Sequence, residues 1–223
     1  LAFPHDLAGM KALVTAGATE EAIDPVRYIT NHSSGRMGYA VAEAAMLRGA
    51  EVTLVSGQTA LVPPPFVERV PVVSAEDMFR EVTARAPEMD FVVKAAAVAD
   101  YTPEETADHK IKKADGEMAI RLRRTKDILA FLGEHKPAGQ LLCGFSMETE
   151  NLIENSRGKL FRKNLDMIAA NSLKTPGAGF QGETNVLTLI TRDAEIPLPL
   201  MSKFEAAGKL LDTLLAMRKE RNG

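Results

Sequence analysis

The stretch KALVTAGATEEAIDPVRYITNHSSGRMGYAVAEAAMLRGAEVTLV, residues 11–55, reads as a strand, a wide crossover, a helix and a second strand. KALVT at 11–15 and EVTLV at 51–55 are short β-branched runs. Between them, a helix over 35–48 puts Met37, Val41, Ala44 and Ala45 on one face and is closed by Gly49. A dinucleotide fold joins its first strand to its first helix within a few residues, through G-x-G-x-x-G, so that a pyrophosphate rests on the helix N-terminus. Here Gly17 ends the strand, Gly35 and Gly38 open the helix, and 17 residues (18–34) lie between. That spacing argues against ordinary NAD binding. A long structureless loop within a compact domain is uncommon unless it is functional. This one lies at the carboxyl end of the first strand, where ligands bind in such sheets, and it clusters Asp24, Arg27, Asn31, Ser33 and Ser34. Ser33 or Ser34 is expected to cap the helix, with Gly35 and Gly38 letting a phosphate approach its amides.

Outward from that stretch, further short apolar runs at 68–73, 90–95, 140–145 and 166–170 alternate with helical patterns, which is the signature of a parallel sheet covered by helices. Capping boxes open helices at Ser74 with Asp77 and at Ser202 with Glu205. The pattern changes after residue 100. Residues 117–122 and 186–190 alternate polar and apolar, and 195–198 is a further extended piece, as expected of antiparallel strands with one wet face. The expectation is therefore a single α/β domain over 1–223. Its Rossmann-like, mainly parallel sheet is flanked by helices, with an antiparallel strand-rich arm or dimerisation subdomain formed by about residues 101–124 and 180–200. LVPPPF at 61–66 reads as a stiff loop.

The net charge of −3 gives no reason to expect a nucleic-acid partner. Locally the balance inverts. Between Lys110 and Lys126, seven basic residues face two acids, so an anion would be drawn there. The single cysteine, Cys143, lies in an apolar run, reads as a buried strand residue and excludes an intramolecular disulfide. With no run of 18 apolar residues and no signal-peptide pattern, the reading is a soluble, cytoplasmic protein with no membrane association. The opening Leu1 hints at a fragment of a longer chain. His5, His32, His109 and His135 show no metal-ligand spacing, and no G-x-S-x-G elbow points to a hydrolase.

On the residues alone, several features read two ways. Asn31 is a turn or capping amide, or a donor to a reacting carbonyl. The KIKK run from Lys110 is the wet face of an edge strand, or an anion clamp. Lys159 and Lys163, four apart on a helix with Arg162 close by, form a solvated face or grip one phosphate chain.

The whole string TAGATEEAIDPVRYITNHSSGRMG, followed in order by KAAAVADYTP, HKIKK, CGFSMET, GKLFRKNLDMIAAN and GFQGETN, resembles the phosphopantothenate-cysteine ligase family. In most bacteria that enzyme is the C-terminal half of a bifunctional coenzyme A protein. The resemblance covers about residues 10–190. It implies a ligase that joins 4'-phosphopantothenate to L-cysteine through an acyl-cytidylate made from CTP, with pyrophosphate released. It also implies Mg²⁺ held mainly by phosphate oxygens, a homodimer, and a flavin-dependent decarboxylase as a fused or separate partner. Of this chain's residues, Asn31, Arg27, Ala97 and Lys110 match the family's catalytic positions, Asn31 and Arg27 acting on the acyl-nucleotide. Gly17, Ser34, Gly35, Asp100, Lys110, Lys126, Asp127, Ile128, Leu129, Phe145, Lys159 and Lys163 match nucleotide-binding positions.

Three departures stand out. AGAT at 16–19 replaces a double glycine, TKDI at 125–128 replaces the commoner NPDI, and Lys94 precedes the alanine run where an apolar or amide residue is usual. Two rival readings are an NAD(P)-dependent Rossmann oxidoreductase and a non-catalytic nucleotide-binding subunit. For the first, VSGQTA at 55–60 supplies no acid or arginine to read a ribose.

Overall fold

A computed structural model describes residues 3–113, 117–148, 150–172 and 182–222. The first strand is β1 (Lys11–Ala16). A hairpin of β2 (Glu20–Ala22) and β3 (Tyr28–Thr30) follows, then α1 (Arg36–Leu47), β4 (Glu51–Ser56), β5 (Glu68–Pro71) and α2 (Ala75–Arg85). The chain continues through β6 (Phe91–Lys94), β7 (Tyr101–Pro103), β8 (Leu122–Arg124), α3 (Ile128–His135), β9 (Leu141–Glu148), α4 (Leu152–Arg162) and β10 (Met167–Ser172). It closes with β11 (Thr184–Asn185), β12 (Leu187–Thr191), β13 (Glu195–Pro197), β14 (Met201–Ser202) and α5 (Lys203–Asn222).

Eight strands form the main sheet in the order β13-β12-β10-β9-β6-β1-β4-β5. Six run parallel, and β12 and β13 add antiparallel at one edge. The Rossmann-like, mainly parallel sheet flanked by helices is thus observed, with small antiparallel sheets beside it. Both faces are covered. Ala12, Val14 and Ala16 of β1 pack with α1 and α5, while Leu13 faces the α2, α3 and α4 side with Val92, Leu142 and Ile168. Burial on both faces is why these strands read as continuous apolar runs rather than alternating ones.

From β1 the chain passes to β4 and β5 on one side, and later returns to build β6, β9 and β10 on the other. The switch point falls between the carboxyl ends of β1 and β6, the place where an open α/β sheet leaves a crevice.

Two sequence expectations need correction. The 18–34 crossover is no structureless loop. It contains the β2–β3 hairpin, with Glu20 opposite Thr30 and Ala22 opposite Tyr28. Asp24 is buried at its turn and accepts from the backbone N–H groups of Val26 and Arg27, both at 2.9 Å. And neither Ser33 nor Ser34 caps α1. The N-cap is Gly35, in the left-handed region at φ 80°, with no side-chain cap bond. A Cβ there would lie 3.0 Å from the Gly17 backbone nitrogen, so glycine meets both the dihedral and the close passage of α1 over the end of β1. The capping boxes at Ser74 with Asp77 and Ser202 with Glu205 both form.

In the expected arm region, extended structure over 117–122 is limited to its last residue, because the strand is Leu122–Arg124, pairing with β7. Residues 187–197 join the main sheet as β12 and β13, while β11 and β14 pair separately. The expected arm segment 180–200 begins with residues outside the described ones.

Candidate functional site

At the switch point the alanine run is held as a strand-like extension of β6. Ala97 donates to the Gly17 carbonyl at 3.0 Å and its own carbonyl accepts from Thr19 N–H at 3.3 Å, forming a bridge with Ala18. Ala96 N–H bonds the Thr15 hydroxyl and Ala99 N–H the Thr19 hydroxyl. The AGAT and AAAVAD segments are thus joined through their backbones and the Thr15 and Thr19 hydroxyls at one junction. Asn31, exposed just beyond β3, donates from Nδ2 to the Ala97 carbonyl at 3.2 Å. Its amide therefore stands over this junction.

Beside it opens a cleft of about 640 Å³, lined by Asn31, Ala96–Asp100, Arg124–Leu129, Phe145–Met147, Lys94, Lys159 and Lys163. A smaller hollow of about 150 Å³ shares Ala96, Ala97 and Phe145–Met147 with it and is bounded by Ser33–Gly38, Asn171, Asn185 and Lys203. The cleft is strongly cationic. Lys94, Arg124, Lys126, Lys159 and Lys163 line it against the carboxylates of Asp100 and Asp127. Three of the cations rest on acids. Lys163 meets Asp127 at 2.7 Å, Lys159 meets Glu148, and Lys126 meets Glu76 at 2.7 Å while lying over the Phe79 ring.

Asp127 caps α3 by accepting from Ala130 N–H at 3.0 Å. Burial opposes its ionisation, but the Lys163 contact and that N–H outweigh burial and hold the carboxyl below its ordinary value. The aspartate of TKDI thus both starts a helix and neutralises a cleft lysine. Lys94 forms no ion pair among the described residues. Burial first, and then the charge of Lys163, push its ammonium down to about 8, with Asp127 and Asp100 offsetting part of the effect.

The structure brings Asn31, Ala97, Asp100, Lys126, Asp127, Ile128, Leu129, Phe145, Lys159 and Lys163 together in the cleft, and places Ser34 and Gly35 at the adjoining hollow. Gly17 lies beneath them, bonded to Ala97. Arg162 of the sequence cluster is exposed and outside the lining, and Lys163 stands at the C-cap of α4 rather than within it. Arg27 and Lys110 are not part of either lining. Arg27 grips Asp24 through Nε at 3.0 Å and a terminal nitrogen at 2.6 Å, and donates to the Ile111 carbonyl. Lys110, next to Ile111, is exposed. Reasoning from sequence gave no role to Lys94, Asn171, Asn185 or Lys203. The signal for Asn171 was its position at the end of IAAN, where a parallel strand delivers side chains to the crevice. Cys143 is buried and its thiol is pushed up by desolvation, as a core residue should be.

Among the described residues, no group of three or more His, Cys, Asp or Glu is placed to hold a metal ion. Nor is any helix long and apolar enough to cross a membrane.

The family model of the DNA/pantothenate metabolism flavoprotein C-terminal domain matches residues 7–217. The coenzyme A biosynthesis bifunctional protein CoaBC of Bacillus subtilis is 47% identical over 216 residues, 96% of this chain and 53% of that protein. A cysteine/cysteine sulfinic acid decarboxylase from an unknown prokaryotic organism is 48% identical over 213 residues, 95% of this chain and 59% of that protein. The chain thus spans little more than half the length of these relatives. The crystal structure of the C-terminal domain of a CoaBC protein superimposes with a TM-score of 0.83 at 44% identity, over 97% of this chain and 99% of that one. By sequence and by fold alike, the chain belongs to the family of the DNA/pantothenate metabolism flavoprotein C-terminal domain.

Proposed function

We propose that the chain is a phosphopantothenate-cysteine ligase of coenzyme A biosynthesis, driven by CTP. The observation that carries this reading is the cleft itself, in which an amide donor at Asn31 adjoins five cationic side chains at the switch point of the sheet. In the first half-reaction a carboxylate oxygen of 4'-phosphopantothenate attacks the α-phosphorus of CTP. The bond to the β-phosphate breaks and pyrophosphate leaves. Every group in that step is anionic, and Lys159, Lys163 and Lys126 would exchange their carboxylate partners for phosphate oxygens. Ile128, Leu129 and Phe145 give the cleft an apolar wall for the nucleoside. Mg²⁺ would travel on the polyphosphate, and the exposed Asp100 carboxylate is a fitting oxygen donor toward it.

In the second half-reaction the amine of cysteine attacks the acyl carbon, CMP leaves with the bonding pair, and the nitrogen gives up a proton. Negative charge builds on the acyl oxygen during attack, and the Asn31 amide is a donor suited to it. Arg27 and Lys110 act in this reading from a second copy. The β7–β8 ribbon, with Leu122 and nearby Met118 exposed, would pair two chains and bring those residues to the partner's cleft. The coenzyme A bifunctional relatives support the pathway, and their unmatched portion leaves room for a flavin-dependent decarboxylase partner in the cytoplasm. The decarboxylase name of one relative belongs to a protein with two-fifths of its length outside the match, so it does not transfer to this cleft.

Pyrophosphate release measured with CTP and with ATP, each with and without 4'-phosphopantothenate, tests the reading. Release is expected with CTP, and only when the acid is present. The Asn31→Ala variant should keep that release while amide formation falls by about 10²- to 10³-fold. Wild-type amide formation in the variant, or release without the acid, would overturn it. Sedimentation as a single chain would remove the second-copy roles.

A further inference from the structure

Lys94 and Arg124 are the two cleft cations for which the resemblance has no task, and of these Lys94 is the one set into the main sheet. It ends β6, directly before the alanine run, where its side chain lines the cleft beside the oxyanion donor's junction. Its neighbours are already occupied. Lys163 is neutralised by Asp127 and Lys159 by Glu148, whereas Lys94 has no ion-pair partner among the described residues. The charged groups that face it are Lys163 from the end of α4, Asp127 from the N-cap of α3 and Asp100 from the segment after β6. A partly buried amine held beside one cation and two spoken-for or solvated carboxylates is poorly compensated until an anion arrives.

We propose that Lys94 is a polyphosphate-binding residue of this cleft, and that it takes up a proton as the polyphosphate binds. The inference rests on the cleft being the nucleotide site. The free-state value of about 8 gives the coupling its sign. Around that pH the amine is partly neutral. A polyphosphate beside it favours the ammonium, so binding near that pH draws a fraction of a proton from solvent. A lysine locked in a salt bridge would be fully charged in both states and would show none.

The test is calorimetric titration of the full chain with CTP and with inorganic pyrophosphate at pH 8, in two buffers of different ionisation enthalpy. The wild type should take up a fraction of a proton. Lys94→Met should lose that uptake and bind about 10- to 100-fold more weakly, the usual loss of a charge-assisted bond. Lys94→Arg, which keeps the charge but cannot titrate, should bind at near wild-type strength with no uptake. Wild-type uptake and affinity in Lys94→Met would overturn this inference alone, leaving the nucleotide site in place. Binding of neither probe by the wild type would overturn both.

Discussion

A methyl group added at Gly38 would lie 2.6 Å from the Thr15 carbonyl oxygen and 2.6 Å from the Ala16 Cβ. Backbone and a fixed methyl are both unable to swing aside, so α1 itself would have to lift off the end of β1. Gly38→Ala should therefore cost about 1–3 kcal/mol, the usual range for overpacking a rigid contact. A denaturant midpoint equal to that of the wild type would show that α1 has slack this packing does not reveal. At this scale the sequence was legible where one residue has one job. Cys143 reads as core and the crossover that carries Asn31 reads as lying at the crevice, but Gly35 and Gly38, which the close passage of α1 over β1 requires, the sequence offered only as openings for a phosphate. It was illegible where the partner is distant. That Lys163 finds Asp127, 36 positions earlier in the chain, and that Lys94 has no ion-pair partner among the described residues, depends on how α3 and α4 dock beside β6. No spacing rule encodes that docking.

Among the elements, the β2–β3 hairpin and the segment after β7 form one unit through Asp24. Its carboxylate takes Arg27, and with the same oxygen the Ile111 N–H at 3.1 Å, while Arg27 donates to the Ile111 carbonyl at 3.1 Å. Ala107 N–H to the Ile23 carbonyl and the Thr106 hydroxyl to the Ala22 carbonyl complete the attachment. Asp24→Asn should leave the main sheet intact but free residues 104–111, seen as faster amide exchange and new protease cleavage there. Unchanged protection would mean the backbone bonds suffice alone.

The same unit has an acid limit. The Arg27 contact first, then the backbone N–H groups, outweigh burial and hold the Asp24 carboxyl well below the usual range. A group depressed in the folded state contributes stability that is present above its unfolded value, about 3.9. That contribution fades as pH falls from there through the folded value. Protection of 104–111 should fade in that window. Sequence periodicity found the long parallel strands because six-residue runs buried on both faces are unmistakable. Three-residue strands such as β2, β3 and β8 carry too few positions to show a period. The β2–β3 turn is held by the buried Asp24, and β8 by its pairing with β7, rather than by any pattern of apolar residues.

Across the whole molecule, chemistry and closure occupy opposite ends of the sheet. The N-terminus of α1 bounds the hollow that adjoins the cleft. Its C-cap, Arg48, lies at the far end, where it ties three separate parts of the chain. Nε and one terminal nitrogen grip Asp6 at 2.8 and 2.7 Å, and the other reaches Asp212 of α5 at 2.8 Å and the Gly208 carbonyl at 3.3 Å. The guanidinium is 8% exposed, while Asp6 and Asp212 are 34% and 55% exposed. That asymmetry decides the magnitude. Removing one member of a fully buried pair strands a desolvated charge and costs about 3–5 kcal/mol, but here the orphaned carboxylates would regain water. Arg48→Met, which keeps most of the buried stem, should therefore cost about 1–2 kcal/mol. It should lower the urea midpoint with no change in its slope. Because the α1–α5 clamp sits a full helix length from Gly35, the CTP binding proposed for the cleft should keep its wild-type affinity. A fall in affinity that tracks the loss of stability would mean that the clamp sets the position of α1 at the cleft, and that the two ends of the sheet are one mechanical unit.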